Sequence, residues 1–310
     1  LIDHVLHLLF TRLSRILSFK QCAAPGYAPT IPPCRPAGFS PSAFTRFVGQ
    51  DHDVRMTVWV TAVALAGALI AGCAPAPQAR RFATVEASTP EAVPVAPDRR
   101  IGALFVGGGD LHACTAAVLD SPAGDLILTA AHCLDGGPDA TFAAGFAGSA
   151  EPDQLWHLDA VYLDPRWSAN QNPRADFAIA RVSRDGGGSV AAAVGGGLRL
   201  GTAPAPGTDV AVTGYPMGVG GGPIGCHAPI STTKAGFPLL RCGGLVDGTS
   251  GSPWLVGSTI TGLTGGLDGG GCAENLSYSP PFDHTAEELL ARAEAEGPGD
   301  QAPDSSAVDC

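Results

Sequence analysis

Charge is scarce in this chain of 310 residues: only 15% of positions are Asp, Glu, Lys or Arg. The 18 basic residues are outnumbered by 29 acidic ones, for a formal charge of −11. That balance argues against nucleic acid as a partner, because neutralising phosphate needs clustered Lys and Arg. No polybasic patch marks a membrane surface either. Aromatic residues are few, at 6%. None of the nine cysteines stands in a CxxC pair, which argues against zinc. No internal repeat and no βαβ alternation is evident. The run of small and apolar residues Val58–Ala71 covers 14 positions, short of the ~20 that span a bilayer.

What is plentiful is glycine (42), proline (27) and apolar residues (45%). Short apolar runs between Gly, Pro and Asp turns read as a turn-rich, all-β protein with enough hydrophobic residues for a core. Such runs fill residues 101–285: Cys114–Asp120, Leu126–Ala131, Asp159–Leu163, Phe177–Val182, Asp209–Gly214, Trp254–Val256 and Thr259–Thr264. The Gly-rich stretch Asp185–Gly197 divides them into two similar halves, expected to be two β-barrels over about 101–187 and 198–285. One helix is expected late, Ala286–Glu296, capped by Thr285 with Pro298 beyond it. The polar tail from Gly299 to Cys310 reads as loose.

Residues 1–55 carry no core pattern. They are expected to be a non-native or disordered extension, with translation starting near Val54 or Met56. Residues 56–73 read as a signal peptide. Arg55 precedes the apolar run, which ends in Leu69-Ile70-Ala71-Gly72-Cys73. That order resembles the lipobox of bacterial lipoproteins, and it implies acylation of Cys73 and a lipid anchor outside the cytoplasm. The alternative is an ordinary signal peptide that contains a cysteine. Residues 74–100, rich in Ala and Pro, read as a flexible tether.

Three motifs carry chemistry. They are Leu128-Thr129-Ala130-Ala131-His132-Cys133, then Ala175-Asp176-Phe177-Ala178-Ile179-Ala180, then Gly248-Thr249-Ser250-Gly251-Ser252-Pro253-Trp254. A serine hydroxyl becomes a nucleophile only when a base removes its proton, and histidine does this near neutral pH. A carboxylate fixes the imidazole tautomer and stabilises the imidazolium. His112, His157, His227 and His284 lack comparable context and read as structural.

Together the motifs resemble the chymotrypsin/trypsin-like serine protease superfamily, whose triad runs His, Asp, Ser along the chain. The Gly-Ser-Pro-Trp ending is similar to its bacterial secreted branch. The resemblance covers about residues 101–285. It implies two antiparallel barrels, a protein or peptide substrate, no cofactor and no metal. His132 would be the base, Asp176 its partner and Ser250 the nucleophile. The N–H groups of Gly248 and Ser250 would form the oxyanion hole. It also implies substrate pairing along Thr264, Gly265 and Gly266, and a disulfide Cys114–Cys133. For Cys226, Cys242 and Cys272, the pair Cys226–Cys242 is favoured over Cys242–Cys272, and Cys310 is available to the one left over.

The pattern departs from trypsin at three positions. Thr249 stands where an Asp pairs with a freed N-terminus, so activation by that ion pair is not expected. Gly244 stands where an Asp binds basic side chains, and Thr264 stands nearest to the His of glutamyl endopeptidases. Neither Lys/Arg nor Glu preference is therefore supported. Two other readings compete. An α/β-hydrolase needs Gly-x-Ser-x-Gly and the order Ser, acid, His, which Ser252 and the crowding of Asp268 and His284 disfavour. A catalytically silent surface-binding lipoprotein with this fold is the other.

Overall fold

The computed structural model describes residues 89–303. The expectations for residues 1–55, the signal peptide, Cys73 and the start of the tether lie outside the described residues. A two-residue strand β1 (Val93–Pro94) comes first. It is followed by β2 (Ile101–Val106), β3 (Leu111–Val118), β4 (Leu126–Thr129), β5 (Ala140–Ala144), β6 (Leu155–Leu163) and β7 (Ala178–Ser183). Then come β8 (Arg199–Leu200), β9 (Asp209–Gly214), β10 (Gly218–Val219), β11 (Ile224–Thr232), β12 (Pro238–Arg241), β13 (Pro253–Val256), β14 (Thr259–Leu263) and β15 (Leu276–Tyr278).

The first sheet runs β3-β2-β5-β6-β7-β4 and closes through β3–β4, which gives a barrel. Its strands β4 and β7 are nearly continuous apolar runs, and their inner residues fill the interior. Ile127, Leu128, Phe142, Trp156, Tyr162 and Ile179 are almost fully buried, on one face of the sheet or the other. The second sheet runs β15-β12-β11-β9-β13-β14-β8 and stays open. A hydrogen bond from Gly265 N to the Tyr278 carbonyl (3.0 Å) links its curled ends. Its alternation is clean: Val210 and Val212 of β9 point inward onto Cys226, Ile230, Leu240 and Trp254. One pairing, β8 with β14, is parallel.

Four expectations change in detail. The tether reading for residues 74–100 fails at its C-terminal end. Val93 and Pro94 pair with Gly225 and Ile224, and Glu91 bridges Gly243. Two short helices join the late one: α1 (Pro165–Asn170), capped by Asp164, and α2 (Val190–Val194), capped by Ser189 within the Gly-rich divider. The late helix α3 spans His284–Glu294, and its cap is Asp283, whose carboxylate accepts the Thr285 N–H at 2.9 Å. Nor is the start of the tail loose. Asp300 accepts from Leu163 N (2.7 Å) and pairs with Arg292, and the Pro303 carbonyl accepts from Gly136 N (3.1 Å). No described helix is long and apolar enough to cross a membrane.

Candidate active site

His132 sits on a 3-10 turn, Ala131–Leu134, directly after β4. Ala131, Cys133 and Leu134 are buried and anchor that turn. A disulfide from Cys133 to Cys114 in β3 ties it to the barrel wall. The imidazole side chain remains 15% exposed, whereas Asp176 is only 1% exposed. Asp176 follows a second 3-10 turn, Pro173–Ala175, which starts at Asn172. Phe177 after it is buried against Phe282 and pins the carboxylate's backbone.

The Asp176 carboxylate accepts from His132 N (2.9 Å), His132 Nδ1 (2.8 Å) and Gly266 N (2.7 Å). Burial alone would raise the Asp176 pKa, but the His132 charge and these N–H donors outweigh it and hold the carboxyl below its usual range. Burial likewise opposes the charged imidazole, and the Asp176 charge and hydrogen bond override it to raise the His132 pKa. With Nδ1 committed to Asp176, Nε2 is the nitrogen left for proton transfer.

Ser250 lies in a tight turn between Gly248 (φ +91°) and Gly251 (φ +82°). These are left-handed angles that favour glycine. Gly251 has no room for a side chain: a Cβ there would collide with the Thr115 carbonyl and Thr129 Oγ1, and would lie 3.1 Å from Ala130 N. This close approach packs the Ser250 turn against the residues that lead into His132. Gly251 N also donates to the Thr264 carbonyl (2.7 Å), two residues before the Gly266 N–H that reaches Asp176. The three motifs thus converge on one site.

Within the turn, Thr249 N donates to the Val246 carbonyl, Gly251 N to that of Thr264 and Ser252 N to that of Thr249. The N–H groups of Gly248 and Ser250 have no acceptor among the described residues. Thr115 braces the turn from below. Its N–H donates to the Ser250 carbonyl (2.8 Å), and its hydroxyl donates to the Gly248 carbonyl (3.1 Å) and accepts from Tyr215 N (2.9 Å). Ligand atoms of Cys114, His132 and Cys133 lie within 4.8 Å of one another. The two sulfurs are bonded to each other, however, so neither is a thiolate that could bind a metal.

Residues 114–259 match the family model described as a trypsin-like peptidase domain. Among solved structures, the chain is similar to the protease Anisep from Arthrobacter nicotinovorans. The two share 22% identity at a TM-score of 0.56, over 65% of this chain and 98% of that one. It is also similar to a Glu endopeptidase, with 18% identity at a TM-score of 0.54, over 67% and 98% of the two chains. A scabies mite inactivated protease paralogue shares the fold at 13% identity and a TM-score of 0.50, over 67% and 97%. The search of curated proteins gives no match.

The match over residues 114–259, together with the shared fold, supports the chymotrypsin/trypsin-like serine protease superfamily. The trypsin-like domain supports a peptidase, and its disulfides suit an extracytoplasmic compartment. One bond is Cys114–Cys133 and another Cys226–Cys242, the latter joining β11 to the segment before Gly244. Cys272 is also disulfide-bonded; Cys310, its suggested partner, lies outside the described residues. A side chain added at Gly244 would meet Ala92 and Glu91 at 3.6 Å. Glu91 and Ala92 of the N-terminal arm therefore cover Gly243 and Gly244. The expected substrate edge is tied down. Thr264 N donates to the Ser252 carbonyl, Gly265 N to that of Tyr278 and Gly266 N to Asp176. These three N–H groups are spent inside the protein, so any pairing with substrate there falls to carbonyl oxygens.

Sequence reading passed over two residues of this site. Thr115 was visible only as the neighbour of Cys114. Asp135 was visible only as part of a turn, Asp135-Gly136-Gly137-Pro138. Its carboxylate in fact accepts from Trp167 Nε1 (3.2 Å) and Gln171 Nε2 (3.1 Å). Burial raises its pKa to about 6.

Proposed function

We propose that this protein is a serine endopeptidase that cleaves peptide bonds through an acyl-enzyme on Ser250. His132 takes the Ser250 proton through Nε2 and later returns it to the leaving amine. Asp176 holds the imidazole in that tautomer and favours the imidazolium as it forms. The oxygen of the attacked carbonyl, negative in the tetrahedral intermediate, takes hydrogen bonds from Gly248 N and Ser250 N. The observation that carries this reading is the buried Asp176 carboxylate accepting both His132 Nδ1 and His132 N, beside a serine turn whose two flanking N–H donors are unspent.

The mature protein is proposed to be exported and held at the membrane by a lipid on Cys73, with the folded domain beginning near Pro90 rather than Ile101. Because inactivated proteases share this fold, the fold alone does not carry the activity. The test is labelling of the full chain with a fluorophosphonate probe beside a Ser250→Ala control, read by intact mass. One adduct on the wild type and none on the variant is expected. No adduct on folded, disulfide-bonded protein overturns the reading and moves the silent, surface-binding alternative to the front.

A further inference from the structure

Asp135 ends the 3-10 turn that carries His132, and its own N–H reaches back to the His132 carbonyl at 3.5 Å. Its carboxylate crosses to α1, where Trp167 Nε1 (3.2 Å) and Gln171 Nε2 (3.1 Å) donate to it. From Gln171 the chain runs five residues to Asp176. Asp135 thus bolts the turn that bears the base to the segment that bears its acidic partner. Its charge acts on both ends of that pair: it favours protonated His132 and opposes ionised Asp176. The groups that face it are His132 from its own turn, Trp167 and Gln171 from α1, and Asp176 from the turn before β7.

We propose that Asp135 is a second acidic residue of this site, a positioning residue that locks the His132 turn onto α1 and adds a fixed negative charge beside the imidazolium. This rests on the reading of His132 as the base. Such a residue does not touch substrate. It acts by keeping the imidazole in register with Ser250 and by stabilising the charge that His132 gains as it takes the serine proton. The price is a carboxylate held ionised where it is half desolvated, so the fold bears a stability cost for it at neutral pH.

Sign and window follow from burial. A carboxyl whose pKa is about 6 when folded and ~3.9 when unfolded destabilises the fold above pH 6. The cost fades as pH falls from there towards 4. Asp135→Asn is therefore expected to raise Tm at pH 7.5 and to lose that advantage by pH 4. A merely structural hydrogen-bond acceptor would lower Tm at both.

The deciding experiment titrates His132 by NMR in the full chain, wild type against Asp135→Asn, beside the pH dependence of fluorophosphonate labelling. The His132 titration and the acidic limb of labelling are expected to move together to lower pH by about half a unit. Labelling at pH 8 should drop several-fold, and Asp135→Glu, which keeps the charge, should restore the limb. An unmoved His132 titration in folded Asp135→Asn overturns the proposal. Absence of labelling in the wild type overturns the protease reading instead, and the NMR arm still decides Asp135. If Asp135→Asn does not fold, Trp167→Phe takes its place. It removes one of the donors that hold the Asp135 carboxylate on α1, so labelling at pH 8 should slow; an unchanged labelling rate in folded Trp167→Phe overturns the proposal.

Discussion

Thr115 holds Ser250 by the backbone, its N–H donating to the Ser250 carbonyl at 2.8 Å while its hydroxyl bridges the Gly248 carbonyl and Tyr215 N. It is fully buried, and its own carbonyl accepts from Thr129 Oγ1 (2.8 Å). One residue therefore links the serine turn, the strand before His132 and β9. Thr115→Val keeps the shape but removes the hydroxyl, leaving the Gly248 carbonyl and Tyr215 N–H buried and unpaired. We expect a loss of ~1–3 kcal/mol in denaturant unfolding and slower fluorophosphonate labelling, as the Gly248 peptide loses its brace. Thr115→Ser should recover both.

Asp176→Asn tests the acidic partner directly. Asn cannot favour an imidazolium and presents the wrong hydrogen-bonding group to Nδ1, so turnover is expected to drop about ten-thousand-fold. The same variant has a stability signature. The depressed Asp176 pKa contributes stability above the unfolded value, lost as pH falls through the folded one. The raised His132 pKa contributes stability below its unfolded value of ~6.5, lost as pH rises through the folded one. The pair therefore stabilises most at mildly acidic pH, and the Tm gap between wild type and Asp176→Asn should peak there. Activity needs neutral His132 and should rise on the alkaline side of that window. A Tm gap that does not vary with pH would contradict the ion-pair reading.

Most of this site was legible because it is written in local sequence. The motif around His132 announces a strand, a turn and a cysteine; Gly248 and Gly251 announce the bends that flank Ser250. Strand β9 also reads directly, since Asp209–Gly214 alternates as a half-buried strand must. What stayed hidden depends on contacts far apart in the chain. β5 (Ala140–Ala144) and β12 (Pro238–Arg241) are short and weakly patterned, and they are strands because neighbours on both sides pair with them. Pro90–Pro94 resembles a linker in composition, and only its pairing with Gly243, Gly225 and Ile224 orders it. Thr115 and Asp135 acquire their roles across 133 and 36 residues of sequence, a distance no local pattern spans.

The two serines of Gly-Thr-Ser-Gly-Ser should separate cleanly. Ser252 is fully buried, and its Oγ lies against Gly214 with no hydrogen-bond partner among the described residues. An unpaired buried hydroxyl costs free energy, so Ser252→Ala is expected to be neutral or stabilising by up to about 1 kcal/mol. Its labelling should match the wild type. Loss of labelling in Ser252→Ala with retained labelling in Ser250→Ala would exchange their roles.

The disulfide Cys114–Cys133 closes a short loop of 19 residues that contains the β3–β4 turn and ends at His132. By the chain-entropy account it contributes ~3 kcal/mol through the unfolded state. It also fixes His132, since Cys133 is the next residue after it and Cys114 the one before Thr115. Replacing both cysteines by serine should lower stability by about that amount and slow labelling of Ser250. Breaking Cys226–Cys242, whose loop of 16 residues lies in the second sheet, should cost similar stability. Its effect should instead fall on the choice of peptide, because Cys242 leads into Gly243 and Gly244 rather than into His132. Kinetics on a peptide library with each double variant distinguishes the two. If the first variant alters sequence preference and the second only the rate, the assignment of base and pocket to separate disulfides is wrong.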